Sequence, residues 1–383
     1  MPSDRVYLDW NATAPLRPEA REAMISAMDA IGNPSSVHAE GRAAKSILEK
    51  AREQVATLMG CDTGDIVFTS SATEAAAMAF GELSGSIGSG IEHDAVWAHL
   101  SYNDVAPNFT LDVDQNGVLT GTISGPDVSH GSVFNTMWDD LVALQAANSE
   151  TGVLQGTLPI AQEIWATQRG AHILVDAVQA IGKTPWSVDK SGADFAMASA
   201  HKIGGPKGVG ALFVKSGVEP RKVLKGGGQE KGRRSGTENI IGIAGFGGAA
   251  DGAARDIANG VWAEVEILRN QMEDAIAAAS PETTFIGKTA PRLPNTSCMM
   301  TPGWKGETQV MQMDLAGFAI SAGSACSSGK VRESRVLRAM GFDDVESRSA
   351  IRVSIGPTTT RDDVMGFVDA WVTAHERFKK RAA

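Results

Sequence analysis

The first residue in this chain that could do chemistry is a lysine where an apolar segment ends. Lys202 closes Phe195-Ala196-Met197-Ala198-Ser199-Ala200-His201-Lys202, which reads as a buried strand running into a loop. Burial lowers an amine's pKa and favours the neutral nucleophile, which forms Schiff bases with carbonyl compounds. Alone, such a lysine would be an ordinary exposed loop residue. It has company. Asp176 ends a second apolar run, His172-Ile173-Leu174-Val175-Asp176, where a carboxylate is costly without a cationic partner. A protonated pyridine nitrogen would be such a partner; the alternative is a carboxylate that caps the following turn. Gln179 could then donate to a phenolic oxygen on the same ring. His93, in Ile91-Glu92-His93-Asp94, offers a flat imidazole that can stack on a ring and move protons. A lone histidine is more often a satisfied core or surface residue, so it adds little by itself.

The turn Ser70-Ser71-Ala72-Thr73-Glu74 lies where a short buried strand meets an alanine-rich helix. The first amides of a helix lack internal partners and carry partial positive charge, so this is a ready phosphate cradle. It is equally an ordinary helix cap, with Glu74 in the first turn. A second glycine-rich segment, Ile203-Gly204-Gly205-Pro206-Lys207-Gly208, lacks the Gly-Lys-Ser/Thr ending of a nucleotide-triphosphate loop and is followed by a strand, which excludes an ATPase reading. A dinucleotide-binding module would need glycines in the early strand–helix turn, and Ser-Ser-Ala-Thr-Glu has none.

These residues need elements to hold them. The chain repeats strand, loop and helix, as α/β proteins do. Helical spacing marks Ala20, Met24, Met28 and Ile31, and again Ala44, Ile47, Leu48, Ala51, Val55 and Leu58, with Gly60 as a stop. Three apolar segments, at His172–Asp176, Phe195–Ser199 and Val209–Lys215, read as neighbouring core strands. From about Ala250 a long helical region leads to further strands and a final amphipathic helix on Val364, Phe367, Val368, Trp371 and Phe378. The expected division is a large lobe over 15–250 and a small lobe of 1–14 with 251–383. The stretch from Ser84 to Met137, rich in Gly, Ser and Asp, says little beyond His93.

Composition narrows the function. With 383 residues, 43% of them hydrophobic and a net charge of −10, the chain can bury a large core and is a poor nonspecific nucleic-acid binder. Its three cysteines, Cys61, Cys298 and Cys326, are odd in number and widely spaced. That fits neither a disulfide framework nor a metal site and suits a reducing cytoplasm. The N-terminus has no apolar signal-peptide core, and no run is long enough to span a bilayer. No membrane contact is expected.

Taken together, LDWNATAP, GNPSSVHAEGRAAK, FTSSATEA, EHDAV, ANSETGVLQ, VDAVQAIGK, SAHKIGGPKGVGALFV, GGGQEKGRRSGTENI, SAGSACSSG and IRVSIG resemble, in order and almost end to end, the cysteine desulfurase family. This is a branch of the class V aminotransferase group of fold type I. The resemblance implies a mixed, mostly parallel sheet flanked by helices in a large domain, and a smaller α+β C-terminal domain. It also implies pyridoxal 5′-phosphate (PLP) held by Lys202, with His93 stacked on the ring, Asp176 at its nitrogen and Gln179 at its phenolic oxygen. Thr73, Ser199 and His201, with the Ala72–Thr73 backbone, would bind the phosphate. Thr237 would reach the phosphate of a neighbouring subunit in a homodimer. Asn148 and Arg352, supported by Asn33, would hold the carboxylate of L-cysteine.

Cys326, in a loop of small residues from Ser321 to Gly329, would attack the substrate's sulfur, release L-alanine and keep a persulfide. Cys61 and Cys298 read as structural. The spacing from Cys326 to Arg352 is similar to the subgroup with a long mobile loop, which passes sulfur to iron–sulfur scaffold or tRNA-thiolation proteins. Departures are Pro357 in place of a basic residue, Ser149 in place of an asparagine, and Trp10 where smaller or polar residues are usual. The chain also ends soon after its last helix, without the extension that long-loop members use to dock a scaffold. The competing expectations are a selenocysteine lyase or an aminotransferase of the same group.

Overall fold

Strands that alternate side chains to two apolar faces must be covered on both. Five strands here do so. Ile66, Phe68, Val142, Leu144, Ile173, Val175, Ala196, Ala198, Ala211 and Phe213 join one buried cluster, while their alternates Val67, Leu141, Ala143, Leu174, Phe195, Met197, Leu212 and Val214 join another. The computed structural model describes residues 5–81, 86–100, 110–125, 141–167, 171–323 and 333–382.

The central sheet has eight strands, in the order Ile66–Thr69, Gly210–Val214, Phe195–Ser199, His172–Asp176, Leu141–Gln145, Ser86–Ser89, Thr110–Val113 and Leu119–Ser124. The expected neighbours are adjacent, with His172–Asp176 parallel to Phe195–Ser199, and Gly210–Val214 antiparallel to the latter. Ser86–Ser89, Leu141–Gln145, His172–Asp176 and Phe195–Ser199 run the same way. Ile66–Thr69 shares that direction, because two antiparallel pairings through Gly210–Val214 separate it from Phe195–Ser199. Thr110–Val113 is parallel to Ser86–Ser89, so six carboxyl ends line one edge, the usual location of ligands in open α/β sheets.

On one side, the helix Ile240–Ala258 packs against Pro18–Met28 and Ala39–Met59. Its glycines permit this. A Cβ at Gly248 would lie 2.6 Å from the Glu19 carbonyl oxygen, and one at Gly247 would lie 2.8 Å from Ala51 Cα. So close an approach leaves room only for small residues, and Pro18–Met28 buries Ala20 and Ala27. The expectation that Met28 and Ile31 join the core fails. They are 57% and 89% exposed, because the helix stops at Met28 and alanines form its buried face.

The long helical region after Ala250 is two helices, Ile240–Ala258 and Val261–Ala279, broken where Gly260 takes φ +72°. A smaller antiparallel sheet follows, ordered Thr284–Phe285, Thr296–Met300, Ala350–Ser354 and Ser321–Ala322. It packs with Val261–Ala279 and Arg361–Ala382 around Trp304, Phe367 and Trp371. Among the described residues no helix is long and apolar enough to cross a membrane.

Candidate active site

The carboxyl edge of the central sheet opens into a cavity of about 220 Å³. Five of these strand ends contribute to it. After Ile66–Thr69 come Ser71, Ala72 and Thr73; after Ser86–Ser89, His93; at the end of Leu141–Gln145, Gln145 with Ala147 and Ser149 beyond; at the end of His172–Asp176, Asp176 then Gln179; and after Phe195–Ser199, His201 and Lys202. Eight residues singled out from sequence thus share one wall: Ala72, Thr73, His93, Asp176, Gln179, Ser199, His201 and Lys202.

Ser71 starts the helix Ala72–Phe80, its hydroxyl accepting from the Glu74 amide at 3.3 Å. The Glu74 carboxylate accepts from the Ser70 amide at 2.6 Å and pairs with Arg234 at 2.9 Å. Those bonds hold its pKa below the usual carboxylate range. The turn is therefore a capped helix start that also faces the cavity through Ala72 and Thr73. Lys202 lies in a short 3-10 turn and donates to the carbonyls of Asn11 at 2.6 Å and Ala12 at 3.1 Å. Asp176 accepts from the Val178 amide at 2.9 Å, and burial raises its pKa to about 6. The bond to Val178 is the turn cap weighed in the sequence; the other oxygen is not spent on it. His93 is pushed down to about 4, first by burial and then by Lys202. Its Nδ1 accepts from the Ala95 amide at 3.1 Å, so the neutral ring carries its proton on Nε2. Burial and Lys202 likewise lower His201 to about 4.

Arg352 is not on the cavity wall but behind it, 2% exposed. One terminal nitrogen donates to the Ser149 carbonyl at 2.9 Å, the other pairs with Asp9 at 2.8 Å, and Nε has no hydrogen-bond partner among the described residues.

Two residues expected at the substrate carboxylate are bonded elsewhere in the structure. Asn148 is engaged by the turn that follows it and by Ile91 and Gln145. Its Nδ2 donates to the Ile91 carbonyl and to Gln145 Oε1, and its Oδ1 accepts from the Glu150 and Thr151 amides and the Thr151 hydroxyl. Its neighbour Ser149 is the residue that faces the cavity. Asn33 is exposed and closes a turn by accepting from the Ser35 amide at 2.9 Å. Thr237 is exposed and is not on this wall. Cys326 lies outside the described residues. Burial pushes the thiols of Cys61 and Cys298 up to about 12, which leaves both unreactive near neutral pH.

Sequence reasoning gave no role to Asn11 or Lys183, although both lie in quoted motifs. The signal for Lys183 was a lysine directly after the apolar run Ala180-Ile181-Gly182. Among the described residues no group of three or more His, Cys, Asp or Glu could hold a metal ion.

An amine opposite a helix N-terminus, with a carboxylate and a flat imidazole between, is the donor set a phosphorylated pyridine aldehyde requires. The comparisons agree. The model of the aminotransferase class-V family matches residues 6–367, and the chain belongs to that family. A cysteine desulfurase of Cereibacter sphaeroides is 38% identical over 373 residues, covering 94% of this chain and 93% of that protein. One of Trichormus azollae is 36% identical over 392 residues, covering 98% and 94%. The solved structure of a NifS-like protein from Rickettsia africae superposes with a TM-score of 0.85 at 32% identity, over 97% of this chain and 99% of that one. Within that family, then, the chain groups with the cysteine desulfurases.

Proposed function

We propose that this protein holds PLP on Lys202, takes sulfur from L-cysteine and keeps it as a persulfide on Cys326. The observation that carries the reading is the single cavity uniting Lys202, Asp176, His93 and the start of the helix Ala72–Phe80. PLP, when bound, supplies an electron sink for the substrate's α-carbon. The residues do the rest. Lys202 provides the amine for the cofactor's aldehyde. Asp176, costly to ionise where it stands, gains a counter-charge from a protonated ring nitrogen and keeps it protonated. Thr73, Ser199, His201 and the amides of Ala72 and Thr73 would take the phosphate. His93, neutral near pH 7, would face the ring of the bound cofactor and can accept a proton. Arg352, with Nε unspent and Ser149 in front of it, supports capture of the substrate carboxylate.

The net step balances as L-cysteine plus the Cys326 thiol giving L-alanine plus the Cys326 persulfide. The thiolate attacks the substrate sulfur, the carbon–sulfur bond breaks, and the carbon keeps the electron pair and is protonated. The same reading includes a large cofactor lobe over 15–250, with 1–14 and 251–383 as the small lobe. It includes a homodimer in which Thr237 reaches the neighbouring phosphate, a protein sulfur acceptor such as an iron–sulfur scaffold, and a cytoplasmic setting. The test is to load the protein with PLP, record its visible band, add L-cysteine and a reductant, and assay both products. Equal alanine and sulfide are expected. A protein that takes up no PLP, or a loaded one that makes no alanine, would overturn the proposal.

A further inference from the structure

Below the cavity lies a buried lysine with no acid beside it. Lys183 is 4% exposed. Its Nζ donates to Gln179 Oε1 at 2.6 Å and to Asn11 Oδ1 at 3.0 Å, and among the described residues no carboxylate pairs with it. Both partners are neutral amides, and both touch the site. Gln179 is on the cavity wall, and its Nε2 donates to the Asn11 carbonyl at 3.0 Å. That same carbonyl accepts from Lys202. Asn11 is 0% exposed and locked on its far side, its Nδ2 donating to Thr296 Oγ1 at 2.8 Å and its Oδ1 accepting from Asn295 Nδ2 at 3.0 Å.

A backbone carbonyl can only accept, so the Gln179 nitrogen must face Asn11, and Lys183 has N–H groups to offer the Gln179 oxygen whether it is an ammonium or a neutral amine. Between Lys183 and the Asn11 carbonyl, the amide of Gln179 therefore has one workable orientation, oxygen toward Lys183 and nitrogen toward Asn11. One Nε2 hydrogen is then spent on Asn11 and the second is left for the cavity. We propose that Lys183 is a positioning residue. By donating to Gln179 and Asn11 it keeps the Gln179 amide turned so that an N–H meets the cofactor's phenolic oxygen, and it steadies the Asn11 carbonyl under Lys202. This rests on the proposed PLP site. Burial, with Lys202 and Arg352 nearby, holds the Lys183 pKa well below the usual lysine range. Two donated bonds are within reach of a neutral amine as well as an ammonium. The other charged groups around this floor are Asp176 at the strand end and Asp9, which pairs with Arg352.

The readout is the pH midpoint of the visible band of the PLP-loaded protein, recorded without substrate. A donor at the phenolic oxygen stabilises its anion and makes the adjoining nitrogen easier to deprotonate. Lys183→Met should therefore raise the midpoint by on the order of one pH unit. Gln179→Ala should raise it similarly, and the double variant no further, because the two act through one bond. If Lys183→Met does not fold, Lys183→Gln gives the measurement. Its amide can donate or accept, so it no longer dictates the flip, and a smaller rise is expected. An unchanged midpoint in whichever variant is read, or additive shifts in the double variant, would overturn the inference alone. A wild-type protein that takes up no PLP would overturn the functional reading and this inference with it.

Discussion

Arg352→Ala separates substrate capture from cofactor binding. Arg352 sits in the strand Ala350–Ser354, 2% exposed, and is shared between Asp9 and the Ser149 carbonyl. If its guanidinium takes the cysteine carboxylate through two charge-assisted bonds, each contributing about 1.5–3 kcal/mol, their loss costs roughly 3–6 kcal/mol. At about 1.4 kcal/mol per tenfold change, kcat/KM should fall by roughly two to four orders of magnitude. A structural cost comes with it. Asp9 loses its cation but keeps the Ser321 hydroxyl at 2.8 Å, and at 16% side-chain exposure it can be reached by water. The stability loss should therefore stay below the roughly 3–5 kcal/mol typical of a fully buried orphan charge. The assay is sulfide release against cysteine concentration at saturating PLP, with a melting curve and the visible band as controls. Arg352→Lys, which keeps charge and loses the fork, should fall between. A folded, PLP-loaded Arg352→Ala enzyme with kcat/KM within about threefold of wild type would refute the assignment.

Three further outcomes follow from the same geometry. Lys202→Ala should abolish both the visible band and turnover while the protein still folds, as a melting curve would show; retained turnover would contradict its role. Glu230→Ala should cost about 2–4 kcal/mol in urea unfolding, because it removes bonds of 2.8 and 2.9 Å from the buried Arg52 guanidinium and leaves it only the Ile66 carbonyl and the half-exposed Glu49 among its present hydrogen-bond partners. Burial raises Glu92 to about 8 from an ordinary value of 4.5, so the folded state holds a proton that the unfolded state releases as pH rises. Stability of the PLP-free protein should fall from pH 4.5 through 8, and Glu92→Gln should flatten that slope; an unchanged slope would show that Glu92 does not titrate there.

What was legible in the sequence was what burial makes costly. Lys202 and Asp176 stand out because a charged residue at the end of an apolar strand demands a reason, and the parallel arrangement brings those ends to one edge. The helix start at Ser71 was legible for similar reasons, since unpaired amides attract hydroxyls and acids to fixed positions. Asn148 and Ser149 show the limit. On a tight turn, neighbouring side chains point in different directions, and only the hydrogen bonds from Glu150 and Thr151 reveal that Asn148 is spent. Met28 and Ile31 failed because helical spacing predicts a face but not the helix end or the partner's closeness, which the glycines of Ile240–Ala258 set. The network of Asn11, Gln179, Lys183 and Asn295 is tertiary and joins segments distant in sequence.

The most direct test of the central claim compares PLP-loaded wild type with Cys326→Ala after L-cysteine is added without reductant. Alanine is assayed, and the peptide containing residue 326 is alkylated and weighed. The account predicts one alanine for each wild-type peptide heavier by one sulfur atom, and a Cys326→Ala protein that keeps its visible band but forms neither alanine nor the heavier peptide. Undiminished alanine from Cys326→Ala would contradict it.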